Sequence, residues 1–412
     1  MTDKIKKVIE YLFYLLVLLF YVGKVFKAIT FLIDILFIFM LIKETGIARN
    51  LFLKYKELVY GFGAFIAYML LQSIFLDYHY YTFKSSFETI LYIISFFAAL
   101  YAFDDKQKIK RLIFVSLAAV FIVSFDAIYQ YFAGKDIFGK PLFDDIRMTA
   151  WGDRPSLSLM MGEFGGLLIT SLILLEGKQR RIAFLVFALF IFVMIMSGNR
   201  SPILALASSI FIVGIFSRYR VYVIGTLIAF SLLFSLAFLN PQLKERYEAF
   251  FNPTTNKNTS SRLPIYLTGY EIIKDHSIFG IGSHNFKFYH PQYYDTIVAK
   301  KYKQYYVKHF SKHTPNHVHS VFIDMILSYG IVGCLIFLYI LWLIYKQFIR
   351  RNEIGLLASV GFLYCITPLQ FARSFTLGDA QFITYLGLIF LALMSIYSNF
   401  IQQEVGEKNA NI

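Results

Sequence analysis

The sequence predicts an all-α polytopic membrane protein, and two observations carry that reading. Of its 412 residues 58% are hydrophobic and only 16% are charged, with a mean hydropathy of +0.59, a balance too apolar for a soluble chain of this length. The apolar residues also fall in runs close to the roughly 20 that a membrane-crossing helix needs. Lipid offers backbone N–H and C=O groups no partners, so spans must be helices or a closed barrel, and unbroken runs suit helices.

Taken in order, apolar runs bounded by charge stand at about 8–23, 28–42, 58–76, 86–103, 112–132, 157–175, 182–197, 202–216, 221–239, 321–345, 354–371 and 380–398. They predict twelve spans in two blocks, 1–239 and 321–412, separated by a large loop domain, 240–320, that contains short helices. The first run follows Met1-Thr2-Asp3-Lys4, but no small-residue cleavage site follows at Tyr21-Val22-Gly23-Lys24, so it reads as a helix rather than a signal peptide. The shorter runs are completed by snorkelling Lys and Arg at their ends. Cys334 and Cys365 both lie inside expected spans, where they pack as small apolar residues and say nothing about redox compartment.

The net charge of +14 is distributed unevenly. With the N-terminus inside, the inner connections hold twenty basic residues, the short outer ones nine, and the long loop eleven. The positive-inside rule therefore predicts both termini in the cytoplasm and the long loop outside. That loop sets its eleven bases against five acids (Glu245, Glu248, Glu271, Asp275, Asp295), which favours an anionic partner. The outer connection 133–155 carries Asp136, Asp144, Asp145 and Asp153 near Trp151, and Arg154 there is a candidate substrate contact. No Gly-rich nucleotide loop follows a strand, and no basic helix with interleaved aromatics is present, so nucleic acid is not an expected partner.

Chemistry-bearing residues concentrate between Arg262 and Gly333, which holds seven of the eight histidines: His276, His284, His290, His309, His313, His317 and His319. His319 is placed in the first turn of a helix capped by Pro315-Asn316, near the polar surface. An imidazole there can act as a base at neutral pH or simply pack at the interface. Arg200, in Ser197-Gly198-Asn199-Arg200-Ser201-Pro202, stands at a tight bend and offers a guanidinium fork to a diphosphate or snorkels to lipid phosphate. Arg262 opens a helical pattern ending at Asp275-His276-Ser277, where Gly280 and Gly282 form the closing turn. His309, His313 and His317 have the spacing of metal ligands on one helix face, yet Pro315 interrupts the helix and no carboxylate pair completes a site. Tyr289, Tyr293, Tyr294, Tyr302, Tyr305 and Tyr306 suit sugar faces or the bilayer interface. Asp34, Glu88, Asp126 and Glu163 lie in or near spans, and such carboxylates keep a transporter open as an alternative. Asp379, beside Arg373 in the last outer connection, can orient a base or an arginine.

Arg200 after its Ser-Gly-Asn bend, Arg262 ahead of Ile278-Phe279-Gly280-Ile281-Gly282, and His317-Val318-His319-Ser320 ending the loop together resemble the O-antigen ligase and polymerase superfamily. Members usually show a Pro-Leu-Phe-Gly-Val-Gly-like turn, and a His whose following residue precedes nine more and then a Gly. His319-Ser320 and Gly330 keep that spacing, while Ser277 stands where the Pro would be and Gly333 where a Thr often lies. The resemblance implies a bacterial inner-membrane glycosyltransferase needing neither metal nor cofactor. It would move a glycan from undecaprenyl diphosphate to a lipid A–core oligosaccharide at the periplasmic face, or to another lipid-linked glycan in a polymerase. It also implies His319, Arg200 and Arg262 as catalytic residues, with His317, Arg154, His284, Tyr294 and Asp379 as substrate contacts.

Overall fold

The computed structural model describes residues 2–20, 25–142, 148–150, 157–198, 203, 220–248, 262–305, 310, 313–349 and 378–410. The first block holds α1 (Thr2–Leu18), α2 (Val25–Lys43), α3 (Thr45–Lys54), α4 (Lys56–Ile74), α5 (His79–Ala102), α6 (Lys106–Ala133), α7 (Leu157–Leu174), α8 (Gly177–Met196) and α9 (Arg220–Ala237). The loop region contributes α10 (Pro241–Glu248), α11 (Arg262–Asp275) and α12 (Phe286–Tyr293), and the second block α13 (Val321–Ile344) and α14 (Gly378–Ala410). Among the described residues seven helices are long and apolar enough to cross a membrane, which makes this a multi-pass membrane protein. The expected spans at 202–216 and 354–371 lie outside the described residues except for the helical Ile203.

Local chemistry explains where the helices start and stop. The Asp105 side chain accepts from the backbone N–H groups of Gln107 and Lys108 at 2.7 and 3.0 Å and so caps α6. Gly134, with φ of 73°, ends it in the left-handed conformation. The segment 45–54, read from sequence as a basic connection, is the short helix α3, none of whose residues is buried. Inside the bundle aromatic side chains fill the helix interfaces: Phe62 meets Phe96 edge-on at 5.8 Å and Phe65 meets Tyr329 at 5.2 Å.

One helix is broken, and the break organises everything above it. Gly330, the tenth residue of α13, takes φ 61° and ψ −172° in mid-helix. The turn after α11 docks into this gap. Ile281 and Gly282 donate their backbone N–H groups to the carbonyls of Leu327 and Ser328, each at 2.8 Å, while Ile331 and Val332 donate to Ser277 and Ile278 at 2.9 and 3.2 Å. Gln72 of α4 donates to the Ser328 carbonyl at 2.7 Å, and the Tyr68 hydroxyl donates to that of Phe279 at 3.0 Å and also to that of Tyr329. Irregular backbone at membrane depth survives only where protein supplies its hydrogen bonds, and here two side chains of α4 do so. A Cβ on Gly330 would lie 2.2 Å from the Ile278 oxygen, and one on Gly280 2.6 Å from the Gly330 nitrogen. Glycine is required at both positions because the two backbones touch.

Candidate active site

Above the break the loop has its own small core of Ile265, Ile272, Ile281, Phe286, Val318 and Leu327. Val318 is fully buried, so the residues on either side of it, His317 and His319, are held at the surface of that core and are each half-buried. A Cβ at Gly269 of α11 would meet the Val318 side chain at 2.8 Å, so α11 lies flush against the His-Val-His segment. Glu271 fastens the far side of α11 by accepting from Lys274 and Lys301 at 2.9 Å and from Tyr302 at 2.7 Å. Burial alone would raise its carboxyl, but these hydrogen bonds outweigh that and pull it down to about 2.

His319 does not sit in the first turn of a helix, as the sequence predicts. The cap is Ser320, whose side chain accepts from the Ile323 N–H at 3.4 Å and whose carbonyl accepts from Asp324 at 2.8 Å. His319 precedes it with φ of 56°. The reason is local: Pro315 and the cramped His317–His319 pair interrupt the chain until a Ser with β-region dihedrals starts α13. A left-handed backbone in a non-glycine residue is strained, and among the described residues only Ala150, His284 and His319 show it.

Three proposed site residues converge here. The rings of His317 and His319 are 4.1 Å apart. Arg262 opens α11 one turn before Tyr266, and its guanidinium lies close enough to the Tyr266 hydroxyl to lower its pKa. That hydroxyl also donates to the His319 carbonyl at 3.4 Å. Burial pushes the Tyr266 phenol up from its ordinary value, against the opposing pull of Arg262. Tyr266 thus ties the arginine to the histidine, a role the sequence reading did not give it; the signal was the i, i+4 spacing of Arg262 and Tyr266 on one helix face. Asp324, buried in the first turn of α13, was also passed over.

The other candidates are dispersed. His284 is half-buried with φ of 63° in the docked turn, where Ser283 donates to the Tyr329 hydroxyl at 3.0 Å and Asn285 donates to the Ile281 carbonyl at 2.7 Å. Tyr294 is fully buried and stacks on His290 at 4.8 Å, which makes it part of the loop's packing. Asp379 is the second residue of α14. Arg200 and Arg154 lie outside the described residues, as does His309 of the proposed metal trio. The bend leading to Arg200 is present, since Gly198 has φ of 67° and its N–H donates to the Ile195 carbonyl at 3.2 Å. Tyr247 of α10 also donates to that carbonyl, pinning α10 to the end of α8.

Residues 185–338 match the family model described as O-antigen ligase, a segment running from α8 to the broken α13 and containing Arg200, Arg262, Gly280, His319 and Gly330. The chain carries an O-antigen ligase superfamily domain. No curated protein matches the chain. Proteins of that family are glycosyl-transferring membrane enzymes that act on lipid-linked glycans.

Proposed function

We propose that the protein is an O-antigen ligase, transferring a glycan from undecaprenyl diphosphate to a lipid A–core oligosaccharide at the periplasmic face of the bacterial inner membrane. The observation that supports this reading is that Tyr266, one turn after Arg262 on α11, donates to the His319 carbonyl at 3.4 Å and so brings the Arg262 helix against the His319 segment. In the reaction His319 accepts the proton of the acceptor hydroxyl as that oxygen bonds to the anomeric carbon of the glycan. The bond from that carbon to the diphosphate oxygen breaks, and the electron pair leaves with undecaprenyl diphosphate. Arg262 and Arg200 hold the diphosphate and offset its growing charge, a task for which the planar guanidinium fork suits better than an ammonium. His317, His284 and Arg154 contact the sugars or phosphates, Tyr294 keeps the loop in shape, and Asp379 orients a neighbouring charged group.

Lipopolysaccharide gel profiling of a deletion strain tests the reading. Complementation with the wild-type chain restores the glycan ladder, and complementation with His319→Ala leaves undecaprenyl-linked polymer of normal length to accumulate. Core bearing a single repeat would instead indicate an O-antigen polymerase, and an unchanged profile would reject both.

A further inference from the structure

Between α2, α3, α4 and α5 lies a half-open cavity of about 350 Å³ that no step of the proposed reaction uses. Every residue lining it is apolar, among them Phe37 and Leu41 of α2, Ala48 and Phe52 of α3, Gly63 of α4 and Ile94 of α5. On α4 it covers the stretch Val59 to Ile66, whereas the residues that brace the broken helix, Tyr68 and Gln72, lie toward the other end. A membrane cavity of this kind accepts a hydrocarbon chain.

Its rim says which lipid. Lys43, Arg49, Lys54 and Lys56, all exposed, stand at the end of α2, on α3 and at the start of α4, beside the cavity mouth. Lys54 and Lys56 lie over the rings of Tyr55 and Tyr60 at 5.2 and 5.8 Å, as bases do at a lipid–water boundary. The nearby acids are engaged elsewhere: Glu44 accepts from Thr2 at 2.7 Å, and Glu57 pairs with Lys346 at 2.8 Å. The short helix α3 has no buried residue and exposes Phe52 and Leu53, the form of a helix lying in the interface. We infer that this is a binding site for an anionic glycerophospholipid of the leaflet opposite the candidate site, with one acyl chain in the cavity and the phosphate on the basic rim. Bases close to a membrane surface attract anionic headgroups, and a fitted acyl slot converts that general attraction into a site.

The test is native mass spectrometry of the detergent-purified full chain titrated with phosphatidylglycerol or phosphatidylcholine. One phosphatidylglycerol is expected to be retained more tightly than phosphatidylcholine, and Arg49→Ala/Lys54→Ala weakens it about fivefold per base removed. Gly63 lines the cavity and a Cβ there would meet nothing within 4 Å, so Gly63→Leu is the variant that puts bulk at the cavity wall. Displacing roughly two methylenes of acyl chain, it weakens retention about tenfold, while Gly63→Ala, the folding control, leaves it close to wild type. Equal retention of the two lipids, unchanged retention in Gly63→Leu, or displacement of phosphatidylglycerol by a neutral polyprenyl alcohol would each overturn the assignment.

Discussion

The Tyr266 hydroxyl lies 3.4 Å from the backbone oxygen of His319, on a residue whose backbone is left-handed. A side chain that also holds Arg262 therefore fixes the peptide plane from which the proposed base projects. His319→Ala removes the proton acceptor and is expected to lower transfer by about 10²–10⁴. Tyr266→Phe keeps the ring and loses the hydroxyl's contacts to both Arg262 and the His319 carbonyl, so about tenfold is expected. Initial rates on purified donor and acceptor, with membrane insertion checked for each variant, decide this. A Tyr266→Phe rate equal to wild type would remove Tyr266 from its positioning role.

Arg262→Ala is expected to cost about 10²–10³ in rate through loss of a charge held against the leaving diphosphate. Arg262→Lys restores charge but neither the fork nor the two-sided reach to Tyr266 and phosphate, so it recovers only part of the loss. Arg200→Ala should show a loss of similar size, and the double variant less than the product of the two if both clamp one group. Rates independent of the residue at 262 would send the diphosphate elsewhere.

The docked turn makes a structural prediction. Gly330→Ala places a methyl on a backbone conformation that only glycine adopts easily, 2.2 Å from the Ile278 oxygen. A loss of more than about 2 kcal/mol is expected, seen as a lower thermal midpoint in detergent and as faster proteolysis between α11 and α13. Gln72→Leu, which removes one of two donors from each of the Ser328 and Phe279 carbonyls, should cost about 1 kcal/mol. Wild-type midpoints in both variants would show that the turn does not depend on the break.

Those two variants also mark where the sequence stops being informative. The spans among the described residues were legible because an apolar run between charges is itself the physical cause of a span, and the turn at Gly280 and Gly282 was legible from its glycines. The break in α13 was not, since a lone Gly inside an apolar run reads as a tolerated helix residue. Its partners, Tyr68 and Gln72, lie some 260 and 256 positions away in sequence, beyond any local pattern. His319 was found by type and spacing, but its placement before the Ser320 cap follows from strain that composition does not report. The segment 45–54 escaped because ten residues with a basic, half-apolar pattern look like any connection.

Acidification should loosen the loop in two successive windows. His290 is fully buried against Phe286 and Tyr294, and burial lowers its pKa to about 4 despite the opposing pull of Asp295. The unfolded loop takes up this proton near pH 6.5, whereas the folded one does so only near 4, so the folded state loses ground as pH falls between those values. The loss amounts to about 3 kcal/mol across the window. Glu271 acts in the next window: its carboxyl is held near 2 in the folded loop, so its stabilisation is present above the ordinary carboxylate range and is lost as pH falls from there toward 2. His290→Phe retains the aromatic stack and removes the titrating group. Thermal midpoints of the wild type should therefore fall between pH 6.5 and 4 and those of His290→Phe should stay level, with both declining below that range. A wild-type midpoint flat down to pH 4 would mean that His290 is already protonated or solvated in the folded loop.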